Sequence, residues 1–402
     1  MLGIDVLEAD GFAAVKGKRI GLLTHPAGVN RLGVSTIDVL RRAPGVQLVA
    51  LYGVEHGVYN EYPAEKTYPD HRDPRTGLMV YSLYNGRSRE ASAAQLKSID
   101  ALVVDLQDIG TRSYTFVSAM KLAMAACFKN GKEIIILDRP NPLGGLKADG
   151  PLLDRQWMSY VGAFCVPYVH GLTIGELARM AKALPAPLGV EVSDAVRLRG
   201  KLTVIPMRGW TRSMRWPETG LTWIPTSPMM PDFSAIQGYP MVGLGTYVSR
   251  EENFDIGFDH GVGKSYPFRG ISHQSFRNME ALEKELRALN SPGLQFKRVS
   301  APDKDGNAAT GIFVIISDYD AWRPTELNFH LMKLACKLEA KNPFAPVPGR
   351  QFRGFLRHMG SEEFLRALQR EGARIDLEPW FRRWREQAAA AHQASQKYWL
   401  YQ

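Results

Sequence analysis

Five carboxylates stand at or just beyond apolar runs in this sequence. Glu55 follows Val46-Gln47-Leu48-Val49-Ala50, Asp105 and Asp108 follow Ala101-Leu102-Val103-Val104, and Asp138 follows Ile134-Ile135-Ile136-Leu137. Glu176 comes shortly after Val166-Pro167-Tyr168-Val169-His170. Each run has the length and composition of a buried strand, and in parallel α/β sheets the reachable concave surface lies beyond the strands' carboxyl ends. Glycoside hydrolysis needs little more than two carboxyl groups, one to protonate the leaving oxygen and one to attack or to activate water. Trp210, Trp216, Trp223, Tyr114 and Tyr239 are aromatic side chains suited to stack on sugar, although single Tyr and Trp residues at loop edges often pack inward. Gly53 and Gly57 flank Glu55-His56 and let the backbone turn sharply. A turn with a helix-capping carboxylate fits that short run equally well, and Asp138-Arg139 also reads as an internal ion pair.

Other chemistries find less support. No strand is followed by Gly-x-Gly-x-x-Gly or a Walker loop, so nucleotide cofactors are not expected. Gly-x-Ser-x-Gly and His-Glu-x-x-His are also missing. His56, His170 and Asp108 form a metal site only if the fold converges them, and the expectation is no metal. Cys127, Cys165 and Cys336 are scattered without a CxxC spacing and read as small core residues. The net charge of +9 suits an anionic partner. The basic residues, densest from Arg350, Arg353 and Arg357 onward, are spread along helical sequence without interleaved aromatics, which argues against nucleic acid. No apolar run reaches the ~20 residues of a membrane span. The start shows no basic, apolar leader, which predicts either a cytosolic protein or one whose leader has been removed.

The elements that must position these groups are legible as an alternation. Strands near residues 18–24, 46, 79, 102 and 134 interleave with helices near 35–40 (capped by Ser35 or Thr36), 116–128 and 173–184. The apolar segments 202–207 and 241–248 are expected to extend the sheet. This predicts an α/β, Rossmann-like, doubly wound and mostly parallel sheet. The aromatic, proline-rich stretch 210–240 reads as a functional loop. Beyond about residue 250 a helix at 275–289, a strand at 311–317 and a helical close over 361–402 predict a second, smaller α+β domain. The expected domains are 1–245 and 246–402, with a cleft between them.

Four strings in order carry a family resemblance: Tyr52-Gly53-Val54-Glu55-His56-Gly57, Asp105-Leu106-Gln107-Asp108-Ile109-Gly110-Thr111-Arg112-Ser113-Tyr114-Thr115, Leu137-Asp138-Arg139-Pro140-Asn141-Pro142-Leu143-Gly144-Gly145 and His170-Gly171-Leu172-Thr173-Ile174-Gly175-Glu176-Leu177. Over essentially its whole length the chain resembles the exo-β-N-acetylmuramidases of the NamZ type. The resemblance implies a Rossmann-like domain without a nucleotide, a cleft against a smaller carboxy-terminal domain, and release of terminal N-acetylmuramic acid from peptidoglycan fragments without a cofactor. It places the family's Pro-Glu-His-Gly glutamate on Glu55, with Val54 for the proline, as general acid, and leaves Asp108, Asp138 or an acidic loop at 251–259 as the second carboxylate. His56, Arg112, Tyr114, Arg139, Asn141, His170 and Glu176 fall on matched positions for substrate binding or its support. The arginines suit the lactyl carboxylate of muramic acid. Peptidoglycan as partner implies a periplasmic or secreted location, with cytoplasmic recycling as the alternative.

The chain departs from the family at one wall. Leu244-Gly245-Thr246-Tyr247-Val248-Ser249 stands where the family reads Glu-Gly-Thr-Asn-Val-Ser, and Ser227-Pro228-Met229 where it reads Ser-Pro-Asn. Glu251, Glu252, Asp255 or Asp259 is the candidate replacement for the lost carboxylate. Two other readings stay open: a non-catalytic muropeptide or envelope-glycan binding protein, and a glycosidase of altered sugar specificity.

Overall fold

A computed structural model describes residues 1–63, 65–274, 279–348 and 351–402. Its first half contains nine strands: β1 (Arg19–Thr24), β2 (Gln47–Gly53), β3 (His71–Arg72), β4 (Met79–Ser82), β5 (Ala101–Asp105), β6 (Glu133–Leu137), β7 (Asp149–Leu152), β8 (Pro167–Val169) and β9 (Leu202–Ile205). Seven of them form one sheet in the order β3-β4-β2-β1-β5-β6-β9. Every pairing in it is parallel except β3 with β4. The order reverses between β1 and β5, so the loops after these two strands splay apart and open a crevice.

Six helices belong to this half: α1 (Gly3–Ala9), α2 (Thr36–Arg42), α3 (Ala93–Leu96), α4 (Phe116–Lys129), α5 (Ile174–Ala183) and α6 (Asp194–Arg199). Their starts follow from local chemistry. The Ser35 hydroxyl accepts from the Ile37 amide to open α2. At α5, Thr173 and Glu176 exchange side-chain to backbone bonds as a capping box. β5 is buried at every position, the uninterrupted apolar reading of a strand covered on both faces. Alternate residues serve opposite faces: Leu102 and Val104 join one core cluster, and Val103 with Leu22 and Ile135 joins the other.

The second half holds α7 (Phe233–Val242), the short strands β10 (Val248–Ser249), β11 (Phe254–Asp255) and β12 (Phe258–Asp259), β13 (Gly270–His273), α8 (Met279–Ala288), β14 (Leu294–Pro302), β15 (Ala308–Ile316), α9 (Glu326–Leu338), α10 (Arg353–Met359), α11 (Glu362–Glu371) and α12 (Glu378–Ser395). An antiparallel sheet of order β12-β13-β15-β14 is covered by helices, which is the expected α+β character. The first four residues of the helix expected at 275–289, and Arg350, lie outside the described residues.

Two expectations are corrected. Residues 241–248 do not extend the main sheet, because Met241 and Val242 close α7, whose amino end is capped by Asp232 accepting from the Ala235 amide at 2.9 Å. A short apolar run fits a buried helix end as well as a strand. The segment around Tyr168 is a strand, but β8 pairs with β7 outside the main sheet and runs beside the loop after β5, where the Arg112 amide donates to the Tyr168 carbonyl.

The halves share one hydrophobic core, which runs from Leu23, Tyr52 and Val104 to Phe329, Phe364 and Trp384, straight across the 245/246 boundary expected from the sequence. α12 returns to pack on β7 and β8. No helix among the described residues is long and apolar enough to cross a membrane.

Candidate active site

β2 ends at Gly53, and the chain then turns abruptly: the Gly57 amide donates to the Val54 carbonyl, while His56 (φ 72°) and Gly57 (φ 80°) are both left-handed. A histidine in that region costs of order 1–3 kcal/mol and marks a site held by its surroundings. Here the His56 Nδ1–Tyr62 carbonyl contact at 2.9 Å and the Tyr68 hydroxyl donating to the Val54 carbonyl at 2.7 Å hold it. His56 Nε2 has no partner among the described residues. The turn delivers the Glu55 side chain, half-buried, into a wall of phenols. Burial raises the Tyr84 hydroxyl and pushes Tyr160 up to about 12, Arg89 pulls both down, and the Glu55 charge raises both. One Glu55 oxygen accepts from the Glu65 amide at 2.9 Å.

The loop after β5 carries Asp108. Asp108 Oδ2 accepts from the Gly110 amide at 2.9 Å and lies 3.3 Å from His170 Nε2, off the ideal hydrogen-bond direction. His170 Nδ1 accepts from the Leu172 amide, which places the imidazole proton on Nε2, toward Asp108. Asp108 Oδ1 is buried without a partner. Burial raises the Tyr239 phenol, the hydrogen bond with Ser113 Oγ at 3.3 Å lowers it, and the charges of Glu55 and Asp108 raise it further. Tyr114 completes this floor, its hydroxyl donating to Thr226 Oγ1 at 2.6 Å.

Five expected site residues stand behind this surface. Asp138 is fully buried and accepts from Thr173 Oγ1, the Gly175 amide and the Tyr401 hydroxyl. It anchors the start of α5. Arg139 pairs with Asp105, not Asp138, with both side chains almost fully buried, and also donates to the Val29 carbonyl. Arg112 donates to the carbonyls of Pro151, Val166, His358 and Met359, so its guanidinium ties the loop after β5 to the carboxyl end of α10. Asn141 braces Leu143 and Leu172. Glu176 pairs with Arg212 at 2.7 Å and accepts from the Leu400 amide. All five side chains are buried and hydrogen-bonded within the framework, with Arg112 Nε left unpartnered.

Tyr84, Arg89 and Tyr160 are neighbours of Glu55 that the sequence reading passed over. Tyr84 had a usable signal, since it lies two residues past β4; Tyr160, in irregular chain, had none. Trp210, proposed for sugar stacking, is buried against Tyr401. Trp216 and Trp223 instead line a cavity of about 280 Å³ in the β1/β5 crevice with Gln107 and Arg139.

Comparison with known proteins decides the family. The family described as exo-beta-N-acetylmuramidase NamZ matches in two parts, its N-terminal portion over residues 20–234 and its C-terminal portion over 238–401. The chain belongs to the NamZ family. It is 36% identical over 337 residues to the peptidoglycan beta-N-acetylmuramidase NamZ of Bacillus subtilis (strain 168), covering 82% of this chain and 76% of that protein. Two crystal structures of DUF1343 family proteins from Bacteroides fragilis NCTC 9343 share the fold. One has TM-score 0.85 at 36% identity, covering 100% of this chain and 98% of the other; the second has 0.74 at 25%, covering 100% and 99%.

Within this NamZ chain the departures fall at defined places. Leu244 is buried in the core, so the side chain at this position packs and does not titrate. Tyr247 packs against Phe355 and His358. Burial and then the charges of Glu252, Glu251 and Glu65 push its phenol up to about 12. Tyr247 thus stands where the acidic 251–252 turn meets the Glu65 turn that holds Glu55. Glu252 accepts from the Gly354 amide at 2.9 Å, and Asp255 from the Gly257 amide. Met229 is exposed.

Proposed function

We propose that this protein is an exo-β-N-acetylmuramidase that releases terminal N-acetylmuramic acid from peptidoglycan fragments, with Glu55 and Asp108 as its carboxyl pair. The observation that supports the pairing is that the Tyr239 phenol lies within electrostatic reach of both carboxylates, which follow parallel strands of one sheet. Glu55 gives its proton to the glycosidic oxygen as the bond to the anomeric carbon breaks. Asp108 Oδ1, unpartnered and backed by His170, takes a proton from the water that adds to that carbon. Tyr239, Tyr114 and His56 Nε2 supply hydrogen-bonding groups for the sugar. The reading needs no cofactor, and among the described residues no group of three His, Cys, Asp or Glu side chains is placed to hold a metal. An exported location follows from the substrate.

The test is release of N-acetylmuramic acid from a chromogenic β-N-acetylmuramide, run beside the matching β-N-acetylglucosaminide. Turnover of the first and not the second supports the reading, and no turnover of either overturns it. The core placement of Leu244, where the family reads glutamate, favours one second reading, a protein that binds muropeptides without cleaving them. Calorimetric binding with no released sugar would identify that case.

A further inference from the structure

A muramic acid differs from a glucosamine by its lactyl ether, which ends in a carboxylate, so an enzyme that selects it needs a cation beside the acid. Arg112 and Arg139, the arginines suggested by sequence, are committed inside the framework. Arg89 is placed differently. Its guanidinium carbon lies 4.1 Å from the Tyr84 ring centroid and 4.0 Å from that of Tyr160, so the cation is stacked between the two phenols of the Glu55 wall. The guanidinium also hydrogen-bonds the Tyr84 and Tyr160 hydroxyls, which fixes its orientation, and its remaining N–H donors can still take a carboxylate. No carboxylate takes them among the described residues, and the adjacent Glu90 pairs instead with Lys129 at 2.8 Å. A recess of about 160 Å³ opens beside it, lined by Thr67, Tyr84, Gly86, Arg87, Ser88 and Arg89, which is room for a lactyl group.

We infer that Arg89 binds the lactyl carboxylate and is the residue that selects muramic acid over glucosamine; the inference rests on the muramidase reading. The aromatic sandwich holds the guanidinium in one orientation before substrate arrives, so little side-chain entropy is lost on binding.

The experiment compares a chromogenic N-acetylmuramide with its lactyl methyl ester, using the unaltered protein, Arg89→Gln and Arg89→Lys. The unaltered protein should prefer the free acid by roughly ten- to a hundredfold in kcat/KM, through KM. Arg89→Gln should cost more on the acid than on the ester, so that the preference is lost, and Arg89→Lys, which keeps charge without the fork, should retain part of it. Equal losses on acid and ester in Arg89→Gln would make Arg89 a prop for the tyrosines and overturn the inference. Indifference of the unaltered protein to esterification would overturn it too. If Arg89→Gln fails to fold, Arg89→Lys carries the comparison, and an undiminished preference there overturns the fork. Failure of the unaltered protein on both substrates would instead remove the muramidase reading itself.

Discussion

The Tyr401 hydroxyl donates to Asp138 Oδ2 at 2.6 Å across 263 positions of sequence. Asp138 sits at the carboxyl end of β6, so the far end of the chain supports the loop edge that carries the site. Burial pushes the Asp138 carboxyl up to about 6, against the pull of Tyr401, Gly175 and Thr173. With the folded value above the unfolded one, near 3.8, the folded state binds the extra proton between those values. This group's contribution to stability therefore rises as pH falls from 7 through 6 toward 4. Asp138→Asn removes the titration. The stability of the unaltered protein relative to Asp138→Asn should increase by about 2–3 kcal/mol between pH 7 and pH 4, measured by urea denaturation of both proteins. A difference independent of pH would refute the shift.

Glu55→Gln and Asp108→Asn should each lower kcat on the muramide by roughly 10²–10⁴ and leave the urea midpoint nearly unchanged, because each swap keeps the shape of the side chain. Asp138→Asn should act mainly on stability. Equal catalytic losses from Asp138→Asn and Asp108→Asn, measured on folded protein, would reassign the second carboxylate.

Arg112→Ala should cost about 3–5 kcal/mol of stability, because it strips four carbonyls of a charged donor and opens a cavity. KM of the folded remainder should stay within about twofold. A large KM rise specific to the lactyl acid would return Arg112 to the substrate site.

Asp105→Ala strands the Arg139 guanidinium in the interior and should cost about 3–5 kcal/mol. The double variant Asp105→Leu, Arg139→Met removes both charges and should recover most of that loss. Denaturation curves for the three proteins decide the matter: no recovery in the double variant would mean that the bond from Arg139 to the Val29 carbonyl, not the ion pair, dominates.

The sequence revealed where chemistry sits more readily than which side chain performs it. Strand periodicity and the carboxyl-edge rule located the loops of Glu55, Asp108 and Asp138, because both depend on short-range pattern. The roles of Arg139 and Glu176 were not legible. Their partners, Asp105 and Arg212, lie 34 and 36 residues away, and a charged residue at a strand end reads the same whether it meets substrate or a buried counter-ion. Met241 and Val242 failed for a different reason, since an apolar run this short has no periodicity to read. Arg89 was missed because its value comes from two rings, Tyr84 and Tyr160, that only tertiary folding brings to its faces.

Arg112 grips the carboxyl end of α10 from inside the first half, the Tyr319 hydroxyl donates to the Leu143 carbonyl, and Thr325 bonds to Asp149. A hinge between the halves would have to pull a buried cation off the His358 and Met359 carbonyls and split a common core. The two halves are therefore one packed body, not a pair of hinged lobes. The charges at the carboxyl edge of the sheet are thus positioned by the fold itself, before any ligand arrives.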